Sequence, residues 1–346
     1  MNTDNTQIRV RGKTFDVPSV EIDGRTVVVT GRWLKIASIK DESVVQGEPV
    51  RDPGSFVARL KEAKLKPDLF TFSQRPPNLV PAFDYPYEWD NLAAIPIDSF
   101  DDWWTKRLPQ ESRKNVRRAG KRGVVAKVVS FDDELVRGIH KIYADTPIRQ
   151  GRRFWHFGKD FETVKREHAT YLERSEFVGA YFEDQLIGFI KMVYVDQMAT
   201  LFQIFAKEEH HDKRPMNALV AKAVEVCAAK QMKYLVYGKY TYGNKTNSPL
   251  AEFKRRNGFE QVNYPKYYVP LTLTGRLALK LKLHRGLLGI LPPNLLMFLV
   301  GVRRKTVQTV RRVFTKAKPR TPEPPKEEGG TAEQHAIAKS AVQTQD

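Results

Sequence analysis

Four clusters in this sequence carry side chains suited to chemistry. The first, Thr146-Pro147-Ile148-Arg149-Gln150-Gly151-Arg152-Arg153-Phe154-Trp155-His156-Phe157, interleaves three arginines with aromatic rings. Guanidinium groups grip phosphates and carboxylates through paired hydrogen bonds while ring faces stack on ligands, so Arg149, Arg152 and Trp155 are candidate acceptor-binding residues. The plainer alternative is a connector whose rings pin it to the core and whose arginines face water. The second cluster, from Gln110 to Lys121, repeats Arg and Lys at positions 113, 117 and 121 and again at 114 and 118. Spaced four apart on a helix, these charges form one broad basic face. That face is either an anion-binding surface led by Arg113 and Arg117 or a solvated helix side. The third, Glu208-Glu209-His210-His211-Asp212-Lys213-Arg214, offers His210 as a base and Lys213 and Arg214 as anion ligands. Two adjacent histidines without further spaced ligands do not make a zinc site, and no metal is expected. In the fourth, Tyr237, Tyr240 and Tyr242 precede Asn244 and Asn247. The tyrosines fit strand packing as readily as proton transfer, and the asparagines fit either ligand binding or loop shaping.

The elements that must position these groups are legible between Phe177 and Phe259. Two β-rich runs, Phe177 to Phe182 and Gln185 to Val195, flank Glu183-Asp184 and read as a hairpin, and Ala199 to Ala206 follows as a third strand. Pro215 suits the first residue of a helix because its φ is already helical and its missing N–H is not needed there. Leu219, Val220, Ala223, Val224 and Cys227 then recur at helical spacing. Tyr234 to Tyr237 reads as a short strand and Pro249 to Arg256 as a helix. Upstream, Asp23-Gly24 joins Val20 to Ile22 and Thr26 to Thr30 as a hairpin, and Trp33 to Ile39 is expected to add a strand. Helices are expected over Arg51 to Leu65, from Ser99, over Asp132 to Tyr143 and over Phe161 to Arg174.

The order of elements, with Phe253-Lys254-Arg255-Arg256-Asn257-Gly258-Phe259 and Ser112-Arg113-Lys114-Asn115-Val116-Arg117-Arg118-Ala119, resembles the GNAT acyltransferase superfamily. Within it, the chain looks most like the branch of Fem-type aminoacyltransferases and GNAT-like polysaccharide-associated acetyltransferases. The resemblance covers residues 100 to 272 with some specificity and residues 15 to 100 weakly. It implies an α/β (α+β) fold: a mixed sheet flanked by helices, in two GNAT-like halves; the C-terminal basic amphipathic segment that follows is read from its own charge pattern below. It also implies an acyl donor, acyl-CoA and most simply acetyl-CoA, at the splayed end of the third strand, Ile204, Phe205 and Ala206. The helix starting at Pro215 would turn its N–H groups to the donor phosphates, with Lys213, Arg214, Asn217 and Asn247 nearby. Lys254 would be a cation near the developing oxyanion or the donor phosphate, the plainer alternative being an exposed lysine beside Arg255 and Arg256, and Tyr240 would act as general acid. The sequence departs from the family where a glycine-rich pyrophosphate loop is usual, since His210 to Asn217 contains no glycine. That departure keeps aminoacyl-tRNA open as an alternative donor, and a non-catalytic binding protein open as an alternative function.

A net charge of +18 is unevenly spread: residues 276 to 320 hold twelve Lys and Arg and no Asp or Glu. Within this stretch Gly286 to Val302 is apolar but broken by Pro292-Pro293, too short to span a bilayer and suited to lying at an anionic surface. An apolar hairpin packed on the protein's own core is the alternative. A single cysteine, Cys227, excludes an internal disulfide framework, and the polar residues Met1 to Gln7 lack a secretory core. The expected layout is an N-terminal α/β half (1–100), a GNAT-like domain (101–272), a membrane-interacting segment (273–320) and a disordered tail (321–346). The expected location is the cytoplasm, peripheral to the inner membrane, with a saccharide or lipid-linked acceptor.

Overall fold

The computed structural model describes residues 4–10, 13–149, 151–242 and 248–285. Asn244, Asn247 and the expected segment and tail beyond 285 lie outside the described residues. The strands are β1 (Asp4–Val10), β2 (Lys13–Ile22), β3 (Arg25–Thr30), β4 (Ile36–Ile39), β5 (Leu69–Ser73), β6 (Tyr87–Pro96), β7 (Val125–Val129), β8 (Ile148–Arg149), β9 (Arg152–Arg153), β10 (Ser175–Phe182), β11 (Gln185–Val195), β12 (Met198–Ala206), β13 (Tyr234–Val236) and β14 (Glu260–Pro270). The helices are α1 (Pro53–Glu62), α2 (Phe100–Asp102), α3 (Gln110–Lys121), α4 (Asp133–Ala144), α5 (Phe161–His168), α6 (Pro215–Ala229), α7 (Pro249–Arg256) and α8 (Leu273–Lys280).

Among the described residues twelve strands join in one sheet, ordered β1-β2-β3-β4-β5-β14-β6-β13-β12-β11-β10-β7. One pattern occurs twice. β2, β3 and β4 run antiparallel, α1 crosses over, and β5 returns parallel to β4. In the same way β10, β11 and β12 run antiparallel, α6 crosses over, and β13 returns parallel to β12. The halves are stitched by β6 and β14, which pair with each other and with β13 and β5. This is a large mixed sheet flanked by helices, and Met1–His284 form one compact unit.

Local chemistry explains the turns. Glu183 and Asp184 both have positive φ, 49° and 59°, the geometry a two-residue hairpin needs to follow the strand twist. Helix α6 begins at Pro215 as expected, and its apolar residues Leu219, Val220, Ala223, Val224 and Cys227 are all buried against the sheet. Burial pushes the Cys227 thiol up to about 12, so it is a packed, inert thiol. On the opposite face α4 and α5 cover Phe177 and Phe189, and α1 packs Phe56 and Leu60 on Phe70 and Phe72.

Three expectations are corrected. Trp33 is not in a strand: residues 32–34 form a bend, strand β4 starts at Ile36, and Trp33 is 93% exposed. The helix from Phe161 ends at His168, with a separate 3-10 turn over Leu172–Arg174, because Tyr171 adopts a left-handed conformation at φ 57°. The arginine-aromatic loop contains a small hairpin, β8–β9. Downstream, α8 docks on the compact unit: Gly275 and Ala278 are buried, and Thr272 caps the helix while its hydroxyl donates to Asp68 at 2.8 Å. No helix among the described residues is long and apolar enough to cross a membrane.

Candidate functional site

The site arises where two parallel strands part. β12 and β13 are paired only at Met198–Thr200 against Tyr234–Val236. The register of β12 on β11 slips at Phe202, from Lys191↔Gln203 to Met192↔Leu201, a bulge that bends the strand. β12 runs on to Ala206 while β13 has ended, so the last part of β12 has no strand on that side. A cleft of about 730 Å³ occupies the gap, floored by Ile204, Phe205 and Ala206. Arg214, Pro215, Met216 and Asn217, the start of α6, line it as well. No side chain caps α6; Pro215 carries no N–H and the Asn217 N–H donates to the Arg214 carbonyl at 3.1 Å, so the Met216 N–H and the positive dipole end of the helix are what it turns to the cleft. Arg214 itself holds a left-handed conformation at φ 60°, uncommon for a side-chain-bearing residue.

The far wall comes from α3 and α7. Ser112 donates its hydroxyl to the Arg256 carbonyl, and Asn217 donates to the Asn257 side-chain oxygen at 3.2 Å. These bonds lock α3, α6 and α7 together at the cleft. Gly258 follows at φ 78°, and a Cβ there would sit 2.9 Å from the Trp103 indole nitrogen, which is why the helix closes on glycine. Four arginines line the cleft, Arg149, Arg153, Arg214 and Arg256, against two carboxylates, Glu208 and Glu252. Arg256 is tied to Glu252 at 2.6 Å, and Arg255 and Arg256 together hold that carboxyl down at about 2. Arg153 and Arg214 are exposed, and among the described residues neither has an ion-pair partner.

Arg149 has a different task. It donates to the Ala206 carbonyl at 3.0 Å and the Ile142 carbonyl at 3.2 Å, lies 3.6 Å from Asp145, and stacks over Phe154 at 4.5 Å. It thus clamps the arginine-aromatic loop to the end of β12, and the last strand carbonyl is already engaged. Trp155 lines the cleft, its ring 4.1 Å from the Lys159 ammonium. Tyr237 lines it too, and burial pushes its phenol up to about 12, so it stays protonated at neutral pH.

The structure therefore gathers seven of the expected residues at the cleft: Ile204, Phe205, Ala206, Arg214, Asn217, Arg149 and Trp155. Other expected residues are placed elsewhere. Lys254 is fully buried; it donates to the Lys239 carbonyl at 2.6 Å and lies 4.7 Å from the centroid of Tyr237. Burial brings its ammonium down to about 8. Tyr240 packs half-buried on the core, and the second ring near that ammonium is Tyr242, at 5.2 Å. His210 turns to Phe182, with ring centroids 5.8 Å apart, and Lys213 lies over the same ring at 4.5 Å; His211 lines the cleft instead. Arg113 donates to the carbonyls of Trp104, Thr105 and Leu108, closing the turn before α3, and Arg117 lies 5.7 Å from the Trp104 ring. Arg152 is in β9, and Asn247 lies outside the described residues. Residues the sequence did not single out are Asn115, Glu252, Arg256 and Asn257; the last two stand directly before Gly258-Phe259. Among the described residues no cluster of metal-ligating side chains occurs.

A sheet whose parallel strands diverge over the start of a helix, with a second copy of the pattern beside it, is a GNAT-like fold. The solved structure of FemX is similar over 81% of this chain and 90% of its own, at 12% identity and a TM-score of 0.55. The C-terminal domain of a putative lysylphosphatidylglycerol synthetase from Agrobacterium fabrum aligns over 74% of this chain and 84% of its own, with 14% identity and a TM-score of 0.48. L-PGS from Bacillus licheniformis aligns over 74% and 85%, with 13% identity and a TM-score of 0.44. No family model and no curated protein matches the sequence.

Proposed function

We propose that the protein is a GNAT-fold transferase that moves an acyl group from acyl-CoA, most simply acetyl-CoA, to an amino group. The acceptor is an amino sugar or lipid-linked saccharide at the cytoplasmic membrane face. The observation that carries this reading is the cleft at the divergence of β12 and β13. The uncapped start of α6 and two arginines, Arg153 and Arg214, that have no ion-pair partner among the described residues line it and suit a phosphate-bearing donor. The unpaired edge of β12 supplies backbone donors for the acyl carbonyl. The acceptor nitrogen attacks that carbonyl carbon, and the C–S bond breaks as the tetrahedral intermediate collapses. Glu208 or His211 at the cleft takes the proton from nitrogen, and the protonated Tyr237 gives one to the departing thiolate.

A second reading, aminoacyl-tRNA as donor, is favoured by two observations. Residues 207–217 contain no glycine to let a pyrophosphate approach the backbone, and Arg149 engages the Ala206 carbonyl. The attack is then on an ester, and a C–O bond breaks. Calorimetric titration with CoA and, separately, with aminoacyl-tRNA tests both readings. Arg214→Ala should raise the CoA dissociation constant about tenfold and flatten its salt dependence, whereas Lys213→Ala, off the cleft, should leave it within about twofold. Equal CoA binding by wild type and Arg214→Ala would move the donor out of this cleft. Tight tRNA binding without CoA binding selects the second reading.

A further inference from the structure

We propose that Trp33 and a leucine ridge on α8 form a docking surface for an anionic bilayer on the folded body itself. This extends the peripheral-membrane part of the proposed function and is independent of the donor and acceptor. Leu273, Leu277 and Leu281 are spaced four apart and are 79%, 56% and 53% exposed, so they form one outward stripe. The opposite face is fixed inward. Gly275 is so close to Asp68 that a Cβ would lie 2.0 Å from its carbonyl oxygen, Ala278 is buried, and the chain just after α8 is pinned by His284 on Glu88 at 2.8 Å. The helix cannot roll to hide its leucines without breaking these contacts.

Asp68 joins the ridge to Trp33. One carboxylate oxygen accepts from the Thr272 hydroxyl at 2.8 Å and the other from the Lys35 backbone N–H at 2.9 Å. The bend carrying Trp33 and the start of the ridge are thus held at one side chain. A tryptophan 93% in water, joined through Asp68 to a ridge of three exposed leucines, is apolar surface that a monomer in water has reason to cover.

Charge decides what covers it. Arg276, Lys280 and Lys282 are exposed along the ridge, Arg32 and Lys35 flank Trp33, and the carboxylates of Asp68 and Glu88 that meet this region are already bonded. From Leu273 to Pro322 the sequence has no Asp or Glu, so the chain's own apolar residues 286–302, flanked by Arg303, Arg304 and Lys305, would bring positive charge onto positive charge. An anionic leaflet supplies both the apolar layer and the opposite charge.

The test uses the full chain and sedimentation with vesicles of phosphatidylglycerol and phosphatidylcholine, against phosphatidylcholine alone. The triple variant Leu273→Ser/Leu277→Ser/Leu281→Ser should partition about tenfold or more less well onto the anionic vesicles, and Trp33→Ser several-fold less. Trp33→Phe should keep most binding while removing a blue-shifted component from the vesicle-induced emission change. Binding within twofold of wild type by both serine variants overturns the proposal and assigns all membrane affinity to residues 286–346. A changed oligomeric state with unchanged vesicle binding overturns it also, making the ridge a self-interface. Turnover with a water-soluble acceptor should be unaltered in these variants, so loss of docking and failure of the transferase reading are told apart.

Discussion

Replacing Lys254 by methionine separates the cost of burying an ammonium from its use. Its side chain is wholly buried, and burial lowers its pKa from 10.5 to about 8. At about 1.4 kcal/mol per unit, the charged form costs the fold roughly 3 kcal/mol. The sign follows from proton counts. Between pH 8 and 10.5 the unfolded chain still binds this proton and the folded chain has released it, so stability rises with pH across that window. Below pH 8 the full cost is present. Methionine keeps most of the volume, removes the cost, and leaves the Lys239 carbonyl without its donor, a loss of about 1–3 kcal/mol. The two effects nearly cancel at pH 7, so the variant should lie within about 1 kcal/mol of wild type there. From pH 7 to 10.5 the wild type should gain about 3 kcal/mol relative to the variant, measured by urea unfolding at several pH values. Parallel curves would refute the burial argument. Because the ammonium lies on the ring of Tyr237 and off the cleft, turnover should fall less than about tenfold. A loss of about 10²–10³ would instead put Lys254 at the oxyanion.

His168 gives a second pH test. Its ring is buried and accepts or donates at the Tyr143 hydroxyl at 3.0 Å, and burial, with the charges of Lys191 and Lys159, lowers its pKa to about 3. The unfolded chain takes up this proton near pH 6.5, so stability is full above that pH and is lost as pH falls. About 3 kcal/mol should go between pH 6.5 and 4.5, and His168→Gln should flatten that limb of the unfolding curve. Gly275→Ala should destabilise the protein by about 3 kcal/mol, because the added methyl meets backbone that cannot rotate away. An unchanged melting temperature would mean that α8 does not dock on Asp68.

Backbone preferences that act within a few residues made much of this protein readable from sequence alone. The hairpins at Asp23-Gly24 and Glu183-Asp184, the helix start at Pro215 and the bounds of α3 and α7 follow from turn geometry, proline and apolar spacing. These have the same physical cause in any tertiary context. Given those elements, the resemblance to the GNAT superfamily placed the third strand's end and the start of the helix after it at a donor cleft. Arg149 and Trp155 were also named from the sequence, but how the other walls are held together was not legible, because it depends on pairings far apart in the chain. Arg149 finds Ala206 57 residues away, and Ser112 finds Arg256 144 residues away. The same holds for charge: Arg113 and Lys254 carry the formal charge the sequence shows, but carbonyl groups from other segments engage both. A sequence states which side chains carry charge. Only the packed structure decided which of them, Arg153 and Arg214, line the cleft with no ion-pair partner among the described residues, because desolvation and hydrogen bonding depend on neighbours that the fold brings together.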